Sequence, residues 1–62
     1  NRNILLSDIG SYAKCLNPNG TLFLSGFYEE DIPIIEEECN KHMLKLNETI
    51  QKGKWVSLKF IN

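Results

Sequence analysis

The chain has very little with which to build a metal centre or a covalent framework. It holds one histidine and two cysteines, Cys15 and Cys39, without any Cys-x-x-Cys spacing. That excludes a tetrahedral zinc site and makes a disulfide the weaker reading. The two thiols read instead as reduced, packed side chains of an intracellular protein. No apolar run approaches the ~20 residues that a membrane helix needs. Neither sign of charge is in excess: seven basic and eight acidic residues give a net charge of -1. A polyanion such as nucleic acid, or an anionic membrane surface, therefore has no electrostatic footprint to bind. Disorder is excluded as well, since 42% of residues are hydrophobic and 24% charged. Sixty-two residues make one domain at most, and a chain this short buries only ~60% of its unfolded surface. Two sequons, Asn19-Gly20-Thr21 and Asn47-Glu48-Thr49, carry no meaning in a cytosolic chain.

What is present is organised around Thr21 to Glu38. Thr21-Leu22-Phe23-Leu24-Ser25 is rich in strand-favouring residues with little polar alternation, which predicts a strand buried on both faces. Gly26 is expected to end it. Glu29-Glu30-Asp31 put negative charge where a helix N-terminus favours it, and Pro33 is tolerated only in a first turn. The second helix should therefore start at Glu30 or Asp31 and run to about Lys41. Its inward stripe is Ile32, Ile35, Cys39 and either His42 or Met43, with Glu37 and Lys41 spaced for an ion pair.

Before this unit, Leu5, Ile9, Tyr12, Ala13 and Leu16 recur at helical spacing. Ser7 and Asp8 are good capping residues, so the regular helix is expected to start there, with Asn3 to Leu6 as a connection. Asn17-Pro18-Asn19-Gly20 is turn chemistry. After the unit the period changes to two. Leu44, Leu46 and Ile50 fall on one side, with Glu48 as an exception, and Lys52-Gly53 reads as a tight reversal. Trp55 to Ile61 form a last strand with Val56, Leu58 and Phe60 on one face and Trp55 and Ile61 on the other. Apolar residues on both sides make it central. The expected architecture is α/β, in the order helix, strand, helix, strand, strand. Its mixed three-stranded sheet has two parallel strands joined by a right-handed crossover, and the last strand lies antiparallel between them.

Asn3-Ile4-Leu5, Leu16-Asn17-Pro18-Asn19-Gly20-Thr21-Leu22, Leu24-Ser25-Gly26, Glu29-Glu30 and Gly53-Lys54-Trp55-Val56 stand in the order and spacing of a known family. The chain resembles, over essentially its whole length, the end of the ribosomal protein L-11 methyltransferase family, PrmA. That family typically reads A-N-I-L, L-x-P-G-G-x-L, L-S-G-I, a short acidic helix start and G-x-W-x. Asn19 departs from the commoner glycine, and Phe27 from an aliphatic residue. The resemblance implies a C-terminal piece of a Rossmann-like, S-adenosyl-L-methionine-dependent methyltransferase domain, with residues 1–62 a single partial domain. It also implies a cytoplasmic enzyme that transfers a methyl group to lysine and α-amino nitrogens of a ribosomal protein, without a metal. The family's glycine-rich cofactor loop, the acidic residue that holds the ribose and the substrate-recognition domain have no counterpart in these residues. The chain opens at Asn1 rather than Met. It is therefore expected to be cut from a longer enzyme and to be inactive alone.

By the same resemblance Asn3 stands at the carboxyl end of the fourth strand, beside the transferred methyl, where it positions the substrate amine and borders the cofactor. Ser25, Gly26 and Phe27 end the fifth strand on that side and border the substrate cleft. Strand ends and turns account for the same residues without any ligand. Glu29, Glu30 and Asp31 read as a dipole-matched surface, His42 as a capping or packing residue and Trp55 as packing. Two other readings remain open. One is a small non-catalytic module; the other is a Rossmann-like methyltransferase with a different acceptor. A fragment should self-associate through the uncovered edge of the Thr21 strand or an exposed apolar face.

Overall fold

The structure is a computed structural model that describes residues 2–62; Asn1 lies outside the described residues. Helix α1 (Arg2–Cys15) leads through a turn into strand β1 (Thr21–Phe27). A 3₁₀ turn (Glu29–Asp31) then opens helix α2 (Ile32–Lys41), and strands β2 (Lys45–Lys52) and β3 (Trp55–Ile61) form a hairpin. The sheet order is β1-β3-β2, with β3 in the centre as its two-sided apolar pattern requires. β3 pairs antiparallel with both neighbours, Leu24 opposite Leu58 on one side and Thr49 opposite Leu58 on the other. The sheet is thus all-antiparallel in its pairing, not mixed. β1 and β2 point the same way, but the inserted β3 keeps them apart, so no parallel pair forms.

Both helices pack on one face of this sheet. Ile9 of α1 joins Ile35 and Cys39 of α2 in a cluster with Leu24, Phe27, Val56, Leu58 and Phe60. The opposite face carries exposed Phe23, Ile50 and Trp55. The expectation of a β1 strand buried on both faces therefore fails: Leu24 and Phe27 are buried, whereas Phe23 keeps 62% of its surface. β1 also continues past Gly26. Register moves from Ser25 opposite Ser57 directly to Phe27 opposite Val56, so Gly26 is an extra residue. It sits at φ 86, a left-handed bulge that glycine adopts without a Cβ penalty. The bulge resets the alternation and turns Phe27 back toward the core.

A second shift lies between Leu46 and Glu48, which face Phe60 and Lys59. The unpaired Asn47 explains why Glu48 broke the sequence alternation. Beyond it Thr49, not Ile50, shares the face of Leu58, and Glu48 stands opposite Lys59 on the open face. The reversal is a two-residue hairpin loop, Gly53-Lys54, with Gly53 at φ 60.

α1 begins at Arg2, five residues before the expected cap at Ser7. Ser7 does not cap: its Oγ donates to the Ile4 carbonyl at 3.2 Å, the back-bonding of a helix-interior serine. Where α1 meets the end of α2, the His42 ring lies 3.1 Å from the point where a Cβ on Gly10 would stand. Gly10 therefore permits close approach of the helices, and of the two candidates His42, not Met43, turns inward. Met43, 75% exposed, adopts φ 67, and the Leu44 amide donates to the Cys39 carbonyl at 3.0 Å. That bond meets one of the orphan carbonyls at the helix end. The polar contacts of this helix converge on Glu38 rather than Glu37: Lys41 pairs with it at 3.6 Å, and the His42 ring is within hydrogen-bond distance at 3.2 Å.

Both cysteines are free; Cys39 is buried and Cys15 exposed. Burial, then the Glu38 and Glu36 carboxylates, push the Cys39 thiol from 9.0 up to about 11. The folded state thus favours the protonated thiol. This contribution to stability is complete below pH 9.0 and is lost as pH rises toward about 11. At pH 8, Cys39 is expected to react with iodoacetamide about 100-fold more slowly than an unperturbed thiol, while Cys15 is labelled first. Timed alkylation with peptide mapping measures this, and equal labelling of the two would contradict the buried position.

Candidate functional site

The carboxyl end of β1 meets the first turn of α1 and the 3₁₀ turn that opens α2. In open α/β sheets this end of the strands is where ligands sit. The geometry is held by Asp31, which is only 8% exposed. One of its oxygens accepts from the Tyr28 backbone amide at 3.2 Å, and the other pairs with the Arg2 guanidinium at 3.2 Å. The Asp31 amide in turn donates to the Tyr28 carbonyl at 3.0 Å. One carboxylate therefore ties the chain leaving β1 to both helix N-termini.

Arg2, Asn3, Gly26, Phe27, Tyr28 and Asp31 line a cleft of about 240 Å³. Asn3, Gly26 and Phe27, widely separated in sequence, come together here. Asn3 lies inside the first turn of α1 rather than in a connection, and it is exposed. Ser25, although next to Gly26 in the chain, does not line this cleft. It lines a groove along the free edge of β1 with Tyr12 and Phe23.

Arg2, Tyr28 and Asp31 were not singled out from sequence as site-forming. The signal for Asp31 was there: a carboxylate three residues after the residue that leaves a strand is the spacing of a reciprocal helix-start bond. Reading Glu29 to Asp31 as one acidic surface run hid it. Glu29 is held from another direction, accepting from Gln51 Nε2 at 3.0 Å. His42 and Glu38 lie at the far end of α2 and take no part. Among the described residues no group of His, Cys, Asp or Glu side chains could hold a metal. Among the described residues no helix is long and apolar enough to cross a membrane.

These features define an α/β unit in which a reversed strand separates two co-directional ones and a polar cleft opens at the carboxyl end of the first. No model of a known protein family matches the chain. Individual relatives do: the chain is homologous to ribosomal protein L11 methyltransferases. It is 46% identical over 61 residues to the Bacteroides fragilis protein of that name, covering 98% of this chain and 22% of the relative. It is 50% identical over 60 residues to the Porphyromonas gingivalis protein and 43% identical over 60 residues to that of Bacteroides thetaiotaomicron. The chain spans about a fifth of the length of these relatives.

Proposed function

We propose that residues 1–62 form the carboxy-terminal part of a Rossmann-like methyltransferase domain. The intact cytoplasmic enzyme uses S-adenosyl-L-methionine to methylate lysine and α-amino nitrogens of ribosomal protein L11. The observation that carries this reading is the homology to L11 methyltransferases along nearly the whole chain. The reversed β3 between β1 and β2, expected for the end of such a domain, supports it.

The residues described here do not by themselves fit the cofactor. The Asn3 cleft, about 240 Å³, is smaller than the ~300–1,000 Å³ of small-molecule sites, and the larger groove beside it has no carboxylate in its lining to hold a ribose. The four glycines of the chain, Gly10, Gly20, Gly26 and Gly53, stand singly, and none belongs to a glycine-rich run. In this reading the cofactor is held by residues elsewhere in the intact enzyme, and the chain alone is inactive. What these residues supply is a wall of the substrate cleft. Asn3 accepts a hydrogen bond from the acceptor amine and so orients its lone pair, and the bulge at Gly26 and Phe27 shapes the approach. Fixing that orientation is catalysis by positioning.

The test is methyl transfer to purified L11 by the intact protein. Asn3→Ala is expected to lower kcat by about 10–100-fold with KM little changed. Absence of transfer by the unaltered protein would refute the activity, and an unchanged kcat would refute the role of Asn3. For the chain alone, micromolar binding of S-adenosylmethionine by calorimetry would contradict the division of labour. The free edge of β1 and the open sheet face are expected to make it self-associate, which size-exclusion chromatography reads directly.

A further inference from the structure

Beside the Asn3 cleft lies a second, larger groove of about 530 Å³, lined by Gly26, Phe27, Tyr28, Lys52, Lys54 and Trp55. It shares Gly26, Phe27 and Tyr28 with the first cleft, so the two form one continuous surface across the top of the sheet. Its walls are unusual for a surface not used in binding. Tyr28 and Trp55 each leave 64% of their area exposed, although aromatic side chains gain most from being covered. The ion pairs of the described residues use Arg2, Lys41 and His42; Lys52 and Lys54 have no carboxylate partner among the described residues.

Two uncovered aromatic rings beside two ammonium groups that make no ion pair select for an apolar side chain next to a carboxylate. A polyphosphate backbone is disfavoured. Glu29 and Glu30 share the adjoining hollow with Lys54 and repel a string of phosphates, whereas the side of the groove lined by Lys52 and Trp55 has no acidic residue in its wall. Gly26 presents open space to this surface, since a Cβ there would meet nothing within 4 Å. An extended backbone can therefore pass over it from one cleft to the other.

We infer that this groove receives an extended stretch of the substrate protein that carries an apolar side chain beside a single carboxylate, next to the acceptor amine. An apolar side chain packs on Tyr28 and Trp55, and a neighbouring carboxylate pairs with Lys52 or Lys54. The inference rests on the methyltransferase reading for the identity of the occupant, and on the groove alone for its chemistry.

Trp55 is the single tryptophan of the chain, so its fluorescence reports occupancy. The probes are a blocked Ala-Leu-Glu peptide, its Ala-Leu-Lys counterpart and a short oligothymidylate. The acidic peptide is expected to shift Trp55 emission saturably. The basic peptide should not, and the Lys52→Glu/Lys54→Glu double variant should bind the acidic peptide about tenfold or more weakly. Both substitutions are on the exposed hairpin tip, and circular dichroism verifies that the fold is kept. Equal responses to the two peptides, no response at millimolar peptide, or an unchanged response in the variant would overturn the inference. So would tighter binding of the oligonucleotide. In the intact protein the same double variant is expected to raise KM for L11 with kcat retained. If the unaltered enzyme methylates L11 and the variant does so with the same KM, the groove assignment falls and the function stands. If the unaltered enzyme leaves L11 unmethylated while Trp55 still reports the acidic peptide, the function falls and the groove chemistry stands.

Discussion

Phe60→Ala is expected to abolish the cooperative thermal transition of the chain. Phe60 is fully buried, in the strand with a neighbour on each side, opposite Leu22 on one and Leu46 on the other. Truncating such a phenylalanine costs about 3–5 kcal/mol, part lost transfer energy and part residual cavity. A core in a chain of fewer than about 70–80 residues rarely supplies more than about 3–5 kcal/mol in total. The two figures are the same size, so nothing is left to hold β1 and β2 on the central strand. A circular-dichroism melt measures this. A midpoint only a few degrees lower would mean that the core does not centre on β3.

Asp31→Ala is the second large effect, and it acts on the site as well as on stability. The substitution leaves the Tyr28 amide without its acceptor, at a cost of about 1–3 kcal/mol. The Arg2 pairing adds little, because its guanidinium side chain is 46% exposed and such pairs are worth about 0–1 kcal/mol. Asp31→Asn, which keeps a carbonyl oxygen toward Tyr28, is therefore expected to recover most of the loss. Denaturant titration gives the energies, and hydrogen exchange at the Tyr28 amide locates the change. If alanine and asparagine destabilise equally, the charge rather than the amide hydrogen bond is what matters. Tyr28 forms a wall of both clefts, so loosening it disturbs the whole upper surface.

The parts of this fold legible in the sequence are those set by local chemistry. Gly53 announced the hairpin, Pro33 fixed where α2 could begin, and the two-sided apolar pattern of Trp55 to Ile61 put β3 in the centre. The misreadings came where one residue changes the meaning of its neighbours. The bulges at Gly26 and Asn47 each insert a residue and flip the alternation beyond it, and a period of two counted straight through them assigns the wrong faces. The mixed sheet failed because co-directional strands need not touch. The start of α1 was placed late because a serine reads as a cap wherever it stands, while the Ile4 carbonyl that engages Ser7 is visible only once the helix exists.

The cleft was half legible. Asn3, Gly26 and Phe27 were named from a resemblance, and the structure puts them side by side. The residue that fixes the shared wall, Asp31, was hidden within an acidic run. A residue's neighbours in space decide whether a carboxylate is solvent decoration or a strut, and a run of like residues conceals which one is turned inward. Asn19, where glycine is commoner in the resembling family, stands at φ 66; asparagine tolerates that conformation better than other residues with a side chain.

The placement of β3 has a consequence for the order of events during synthesis. Among the described residues β1 and β2 do not pair with each other, and each pairs with β3, a segment translated after both. As the polypeptide leaves the ribosome, α1, β1, α2 and β2 emerge before the strand that joins β1 to β2. The join between β1 and β2 waits for Trp55 to Ile61 to clear the exit tunnel, so in a nascent chain stalled before that point β2 lacks the strand it pairs with and stays open to proteases or chaperones.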